Sequence, residues 1–211
     1  VRIIAIDGPA GSGKSTVARA LAVYLGLDYL DTGAMYRCVT FAAMRRGIDP
    51  ADADVVARIV GDIVMEIGLL AATVDGVDAT IEIRGTEVSR AVSVVASNPV
   101  VRAEMVRRQR EWVGSHGGGV VEGRDIGSVV FPDAELKVYL TADPEVRAER
   151  RSKEVSDLDY ETVAVDIARR DALDQSRETS PLVVAGDAFV VDTSSLSVEE
   201  IVATIARALD D

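Results

Sequence analysis

One stretch near the start of the chain constrains its fold more than any other. Gly8-Pro9-Ala10-Gly11-Ser12-Gly13-Lys14-Ser15 fits G-x-x-x-x-G-K-[ST] at every fixed position. It follows a short apolar run, Ile3 to Ile6, and leads into a helical pattern from Lys14 to Leu25 that stops near Gly26. A strand, a glycine-rich turn and a helix in that order make a phosphate cradle. The glycines let backbone N–H groups turn inward with no Cβ in the way, and the helix start adds the positive end of its dipole. Lys14 can reach the β- and γ-oxygens of a bound triphosphate, and the Ser15 hydroxyl can ligate Mg2+. A nucleoside triphosphate is thus assigned to Gly8 through Ser15, with Thr16 beside them. A chance glycine-rich turn is the alternative, and motif and context together count against it.

The rest of the chain alternates in the same way. Tyr29-Leu30, Val120-Val121, Leu136 to Leu140 and Phe189 to Val191 read as further short apolar strands. Helical patterns cover Ala34 to Arg46, stopped by Gly47, and Asp52 to Gly61. Ser197 with Glu200 three residues later is a capping box that opens a C-terminal helix. Apolar strands alternating with helices predict an α/β fold with a central parallel five-stranded sheet, covered on both faces. Residues 63–85 break the alternation. Asp75-Gly76 is a turn signal and Ala79 to Arg84 alternates, which predicts a small antiparallel insertion. Helices near Val88 to Ala96 and from Pro99 to about Trp112 follow it. Ser152 to Asp159 is polar and aperiodic, as a mobile loop would be.

Bulk properties exclude some classes. The formal net charge of −12 argues against a sequence-independent binder of nucleic-acid polymers, but not against one small anion in a local cluster of donors. No apolar run approaches the roughly 18 residues of a membrane helix. Val1 to Ile6 runs straight into Asp7-Gly8 and reads as a strand, not a leader. A single cysteine, Cys38, fits a reducing compartment and a buried, unreactive thiol, so a cytoplasmic protein is expected. Lysine occurs only at positions 14, 137 and 153, so position must decide which arginines matter.

The cradle alone leaves switch GTPases, motor ATPases and small-molecule kinases open. The one asparagine, Asn98, precedes Pro99, so a guanine-reading N-K-x-D is absent. Leu136 to Leu140 contains Lys137 and continues to Thr141-Ala142-Asp143, a poor match to the metal-binding strand of a motor ATPase. A kinase remains. Three polar clusters follow strands or occupy helices. Asp31 to Arg37 is either part of a binding edge or a plain N-cap with a solvent-facing arginine. Glu122-Gly123-Arg124-Asp125-Ile126-Gly127 is either a second such edge or a salt-bridged turn. Arg170, Asp174 and Arg177 share one helical face, as either a solvated charge run or ligands, with Arg147, Arg150 and Arg151 upstream as a closing lid.

Taken together, these segments resemble bacterial cytidylate kinases over nearly the whole chain. The cradle, Asp31 to Arg37, Glu122 to Gly127, Val130 to Ala134, Arg170 to Arg177, Ser180 to Leu182, Asp187-Ala188 and Val191 to Ser194 carry the resemblance. It implies a single P-loop NTPase kinase domain over residues 1–211, with a nucleoside-monophosphate-binding insertion at 63–98 and a helical lid at 147–170. It implies transfer of the γ-phosphoryl of Mg·ATP to CMP or dCMP by a monomer. In that reading Arg37, Arg124 and Arg177 hold the acceptor phosphate and, with Lys14, carry catalysis. Ser93, Arg102 and Asp125 read cytosine, helped by Thr32, while Arg170 and Asp174 meet the sugar; Arg147 and Arg151 are lid contacts. Glu122 has no role assigned. A phosphate monoester is already ionised, so no general base is needed, which suits a chain whose one histidine, His116, falls in an expected loop.

Overall fold

The computed structural model describes residues 1–154 and 159–210; residues 155–158, within the expected mobile loop, lie outside the described residues. The chain opens with β1 (Arg2–Asp7), α1 (Lys14–Leu25), β2 (Tyr29–Asp31), α2 (Thr32–Arg45) and α3 (Ala53–Ile59). Three short strands come next, β3 (Met65–Ile67), β4 (Ala72–Val74) and β5 (Val77–Asp78), and then α4 (Thr86–Val95) and α5 (Pro99–His116). The remainder is β6 (Gly118–Glu122), β7 (Leu136–Thr141), α6 (Pro144–Glu154), α7 (Tyr160–Gln175), β8 (Phe189–Asp192) and α8 (Val198–Asp210).

Five strands form one sheet in the order β2-β6-β1-β7-β8, and β1 pairs in parallel with both β6 and β7. Ile4 and Ile6 on β1 are fully buried, which is why this strand reads as continuously apolar and sits centrally. They pack with Val17 and Leu21 of α1, Val120, Val138, Leu140, and Ile201 and Ile205 of α8. Each such side chain contributes about 1.5–3 kcal/mol on burial. The capping box holds: Glu200 N–H donates to Ser197 Oγ at 3.2 Å, and Ser197 N–H to the Glu200 carboxylate at 2.8 Å.

The chain forms two compact units. One comprises Val1–Tyr29 and the described residues after Trp112; the other is Leu30–Trp112. In the second unit α2 packs against α4 and β4, burying Val39, Ala43, Val74 and Val92. It contains the antiparallel three-stranded sheet β3-β4-β5, with Asp75 and Gly76 both at positive φ (50° and 74°) in the hairpin turn. The expected strand over Ala79 to Arg84 is absent, because Glu82–Arg84 is a 3-10 turn. Asp78 ends β5 by accepting the Thr80 N–H at 3.0 Å. Ala79 and Ile83 are buried while Ile81 is 81% exposed, so apolar residues four apart share a side and the chain coils.

Helix α5 also outruns its expected end at Trp112 and stops at Gly117, whose φ is 73°. His116 therefore ends a helix rather than lying in a loop, though it is exposed as expected.

Candidate active site

The cradle follows from β1 ending at Asp7 and α1 beginning at Lys14. Gly13, the N-cap of α1, is left-handed (φ 85°) and supplies no side-chain cap, so the first N–H groups of α1 are left for an anion. Ser12 Oγ donates to Pro9 O at 3.1 Å and closes the loop on itself. Gly11 is required by close approach: a Cβ there would sit 2.7 Å from the Arg147 carbonyl oxygen. Lys14 is buried and its Nζ donates to Pro9 O at 2.6 Å. Burial, then the Arg124 and Arg170 charges, push its ammonium well down from the usual lysine range, while Glu122 and Asp7 pull it back. The balance around Lys14 favours an incoming anion.

Glu122, which the sequence reading left without a role, ends β6 beside β1, in register with Ile6. Its carboxylate accepts the Ser15 hydroxyl at 3.0 Å and also the Tyr29 hydroxyl. The acid that a phosphate-binding fold places near its cradle stands on this strand, not on Leu136 to Leu140. The signal was present as two buried valines followed by a glutamate, Val120-Val121-Glu122. With its proton given to Glu122, the Ser15 oxygen keeps lone pairs for a cation. Among the described residues no group of three or more His, Cys, Asp or Glu could hold a metal alone. One hydroxyl and one carboxylate suit Mg2+, which usually completes its shell with phosphates and water.

The segment after β6 carries Arg124 and Asp125, with Asp125 buried. Arg124 Nε donates to Asp174 at 2.9 Å, and Arg177 pairs with the other oxygen of the same carboxylate. Asp174 is 1% exposed, so two arginines are held by one buried acid. Burial works against the Asp174 charge, but Arg124, Arg177 and Arg170 outweigh it and hold the carboxyl below its usual range. Burial likewise opposes the Arg124 charge, and Asp174 reverses that. Both guanidinium groups are therefore fixed, charged and already oriented. One detail differs from the expectation of a single helical face: α7 ends at Gln175 and is capped by Ser176, so Arg177 lies just past it.

Asp171 was not singled out either. It accepts the Ala10 N–H at 3.1 Å and pairs with Arg147, which itself donates to Ala10 O at 3.1 Å. Helices α6 and α7 thus grip the cradle backbone at one residue. Arg150 donates to Thr193 Oγ1 at 2.9 Å, and Thr193 in turn donates to Ser12 O at 3.1 Å. Arg170 and Arg151 are half-buried on α7 and α6, whereas Arg169 is exposed and only reaches Asp166 at 3.7 Å.

In the second unit, Asp31 caps α2 by accepting the Ala34 N–H at 2.9 Å. Thr32 and Arg37 on α2, Ser93 on α4 and Arg102 on α5 are all buried. Arg37 Nη1 donates to Ile83 O at 2.9 Å and Ser89 Oγ at 2.8 Å, one helical turn from Ser93. The solvent-facing alternative for Arg37 therefore fails. Arg102 lies over the Tyr36 ring, 5.5 Å from its centroid, and donates to Ala96 O at 3.2 Å. Three helices of that unit thus carry these four buried polar groups. Cys38 is fully buried, and burial, aided by Asp31, pushes its thiol up to about 12. Its burial is as expected.

Residues 4–211 match the family model described as cytidylate kinase. The chain is 49% identical over 209 residues to the cytidylate kinase of Mycobacterium leprae, covering 95% of this chain and 92% of that one. It is 47% identical to that of Bacillus pumilus, covering 98% and 95%. The chain belongs to the cytidylate kinase family. Among solved structures, a gluconokinase from Sinorhizobium meliloti is similar in fold (TM-score 0.51, 16% identity, 99% of this chain and 94% of that one).

Proposed function

We infer that the protein transfers the γ-phosphoryl of ATP to CMP or dCMP, yielding ADP and CDP or dCDP. The observation that carries this reading is the Arg124–Asp174–Arg177 network in the same unit as a complete phosphate cradle. A cradle alone would bind a nucleotide; a second set of fixed cations gives a second phosphate somewhere to go. Two polyanions repel, so the reaction needs neutralisation and alignment more than proton transfer.

In this reading Gly8 to Thr16 hold ATP, and Lys14 neutralises its outer phosphates. Arg37, Arg124 and Arg177 take the acceptor phosphate; Thr32, Ser93, Arg102 and Asp125 read cytosine; Arg170 and Asp174 face the sugar. Ser15 and Glu122 would hold Mg2+, which when bound spreads the charge of the transferring group. Residues 63–98 serve as the acceptor-binding insertion, and 147–170 as the lid, with Arg147, which reaches the cradle at Ala10 O, and Arg151 as its contacts. The protein acts as a cytoplasmic monomer. No helix of the described residues is long and apolar enough to cross a membrane. Incubation with Mg·ATP and CMP tests the reading: CDP and ADP must appear in equal amounts, and ADP without CDP would contradict it.

A further inference from the structure

The last residue of β1, Asp7, precedes the cradle and belongs to none of the groups assigned above. Its carboxylate is 6% exposed and fully engaged. One oxygen accepts the Ile126 N–H and the other the Gly127 N–H, each at 2.8 Å. One residue earlier on the same strand, Ile6 O accepts the Gly123 N–H at 2.9 Å. The segment from Gly123 to Gly127 is therefore fastened to the end of β1 at both ends. Between the fastenings stand Arg124 and Asp125, and beyond them a π-turn begins at Ile126. The turn holds its far end by its own bonds: Val129 and Val130 N–H donate to Asp125 O at 2.9 and 3.1 Å, and Phe131 N–H to Ile126 O at 2.7 Å. Its first two N–H groups are held only from outside, by Asp7.

We propose that Asp7 is a positioning residue for the acceptor nucleotide, setting the place of Arg124 and Asp125 by pinning the backbone immediately after them. This rests on the acceptor reading given above. The arrangement separates sequence position from role: Asp7 abuts the ATP cradle along the chain, yet its side chain serves the turn opposite. Backbone N–H groups are donors only, so both anchoring bonds require a carboxylate, or two acceptor atoms in its place. An asparagine offers one oxygen and one N–H2, and the N–H2 would face a donor. One anchor is lost and one buried N–H is left unsatisfied. The titratable groups around Asp7 are Lys14 on α1, Asp125 in the turn and, across the strand pair, the neutral phenol of Tyr139 on β7. None of them can replace the missing acceptor for both N–H groups at once.

The experiment compares steady-state kinetics of the wild type, Asp7→Asn and Gly127→Ala, with KM measured separately for CMP and ATP. Gly127→Ala disturbs the same turn from its other side, because a Cβ there would lie 3.0 Å from Lys137 Cγ, and it leaves the cradle strand untouched. The expected result for both variants is a rise of about tenfold in KM for CMP, the size of losing one buried hydrogen bond. KM for ATP should stay within about twofold of the wild type in Gly127→Ala, and in Asp7→Asn, which also removes a carboxylate near Lys14, should rise less than KM for CMP. If ATP affinity falls as far as CMP affinity, or if neither moves, Asp7 has no such role. Should Asp7→Asn not fold, Gly127→Ala decides between the same two results. A wild type that makes no CDP would overturn the acceptor reading itself, and that failure is visible before any variant is made.

Discussion

Lys14 and Asp174 show two ways in which buried charge is put to use at the scale of single residues. Burial, then the Arg124 charge, push the Lys14 ammonium down, whereas Asp174 holds two arginines in place. Lys14→Ala should lower kcat by roughly 10²–10³-fold while the circular dichroism spectrum stays unchanged. A folded variant with near-normal turnover would remove Lys14 from the reaction. Arg102→Ala should raise KM for CMP and narrow the preference over UMP, because a buried donor that reads a base discriminates through unsatisfied partners. Unchanged selectivity would exclude it. Asp7 gives a pH signature. Burial raises its carboxyl from the ordinary 3.8 to about 6, against the pull of the Gly127 and Ile126 N–H groups. The folded protein then holds a proton that the unfolded chain has released, so this group's contribution to stability falls as pH rises from about 4 to 6. Asp174 acts in the opposite sense: its contribution is present above the ordinary 3.8 and is lost as pH falls through its lower folded value. Thermal melts of Asp7→Asn should show a smaller drop in stability across pH 4 to 6 than the wild type. An identical profile would mean Asp7 titrates at its ordinary value.

Elements were legible in the sequence where local rules agreed, and illegible where side chains from distant segments decided. The cradle, the five apolar strands, the Asp75-Gly76 turn and the Ser197–Glu200 box each carry their own signal and stand where it puts them. Ala79 to Arg84 has alternating chemistry, but the strand register ends at Asp78, the Ala79 N–H reaches back to Ala72 O at 2.9 Å, and the rest coils. Glu122 carries no local signal beyond the two apolar valines that precede it, and Asp171 carries none of importance. Their roles come from strand adjacency and from a helix reaching the cradle 161 residues away in sequence. Arg37 was undecided on sequence alone, because one arginine on a helix reads alike whether it faces water or the Ile83 carbonyl. Helices α6 and α7 meet the cradle at Ala10 through Arg147 and Asp171, which makes the cradle's rigidity a property of those helices. Arg147→Ala should therefore speed amide hydrogen exchange across residues 8–13 in the ATP-free protein by about tenfold, as one charge-assisted anchor is removed. Exchange confined to α6 would show that the contact does not restrain the cradle.

At the scale of the whole molecule, the first unit contains the donor cradle and the paired arginines, and the second contains most of the residues assigned to cytosine. In the proposed reading, chemistry and base selection fall largely on residues of different compact units, so variants in one should be separable from variants in the other by which kinetic constant moves. The central claim is that fixed cations outside the cradle accept a cytidine monophosphate. The most direct measurement is a competition in one vessel: purified protein, Mg·ATP and equal CMP, dCMP, UMP and AMP, with diphosphates quantified over the first few per cent of turnover. CDP and dCDP should lead the acceptor-derived diphosphates and together match the ADP released from ATP. A mixture led by ADP formed from AMP, or ATP hydrolysis with no cytidine diphosphate at all, would contradict it.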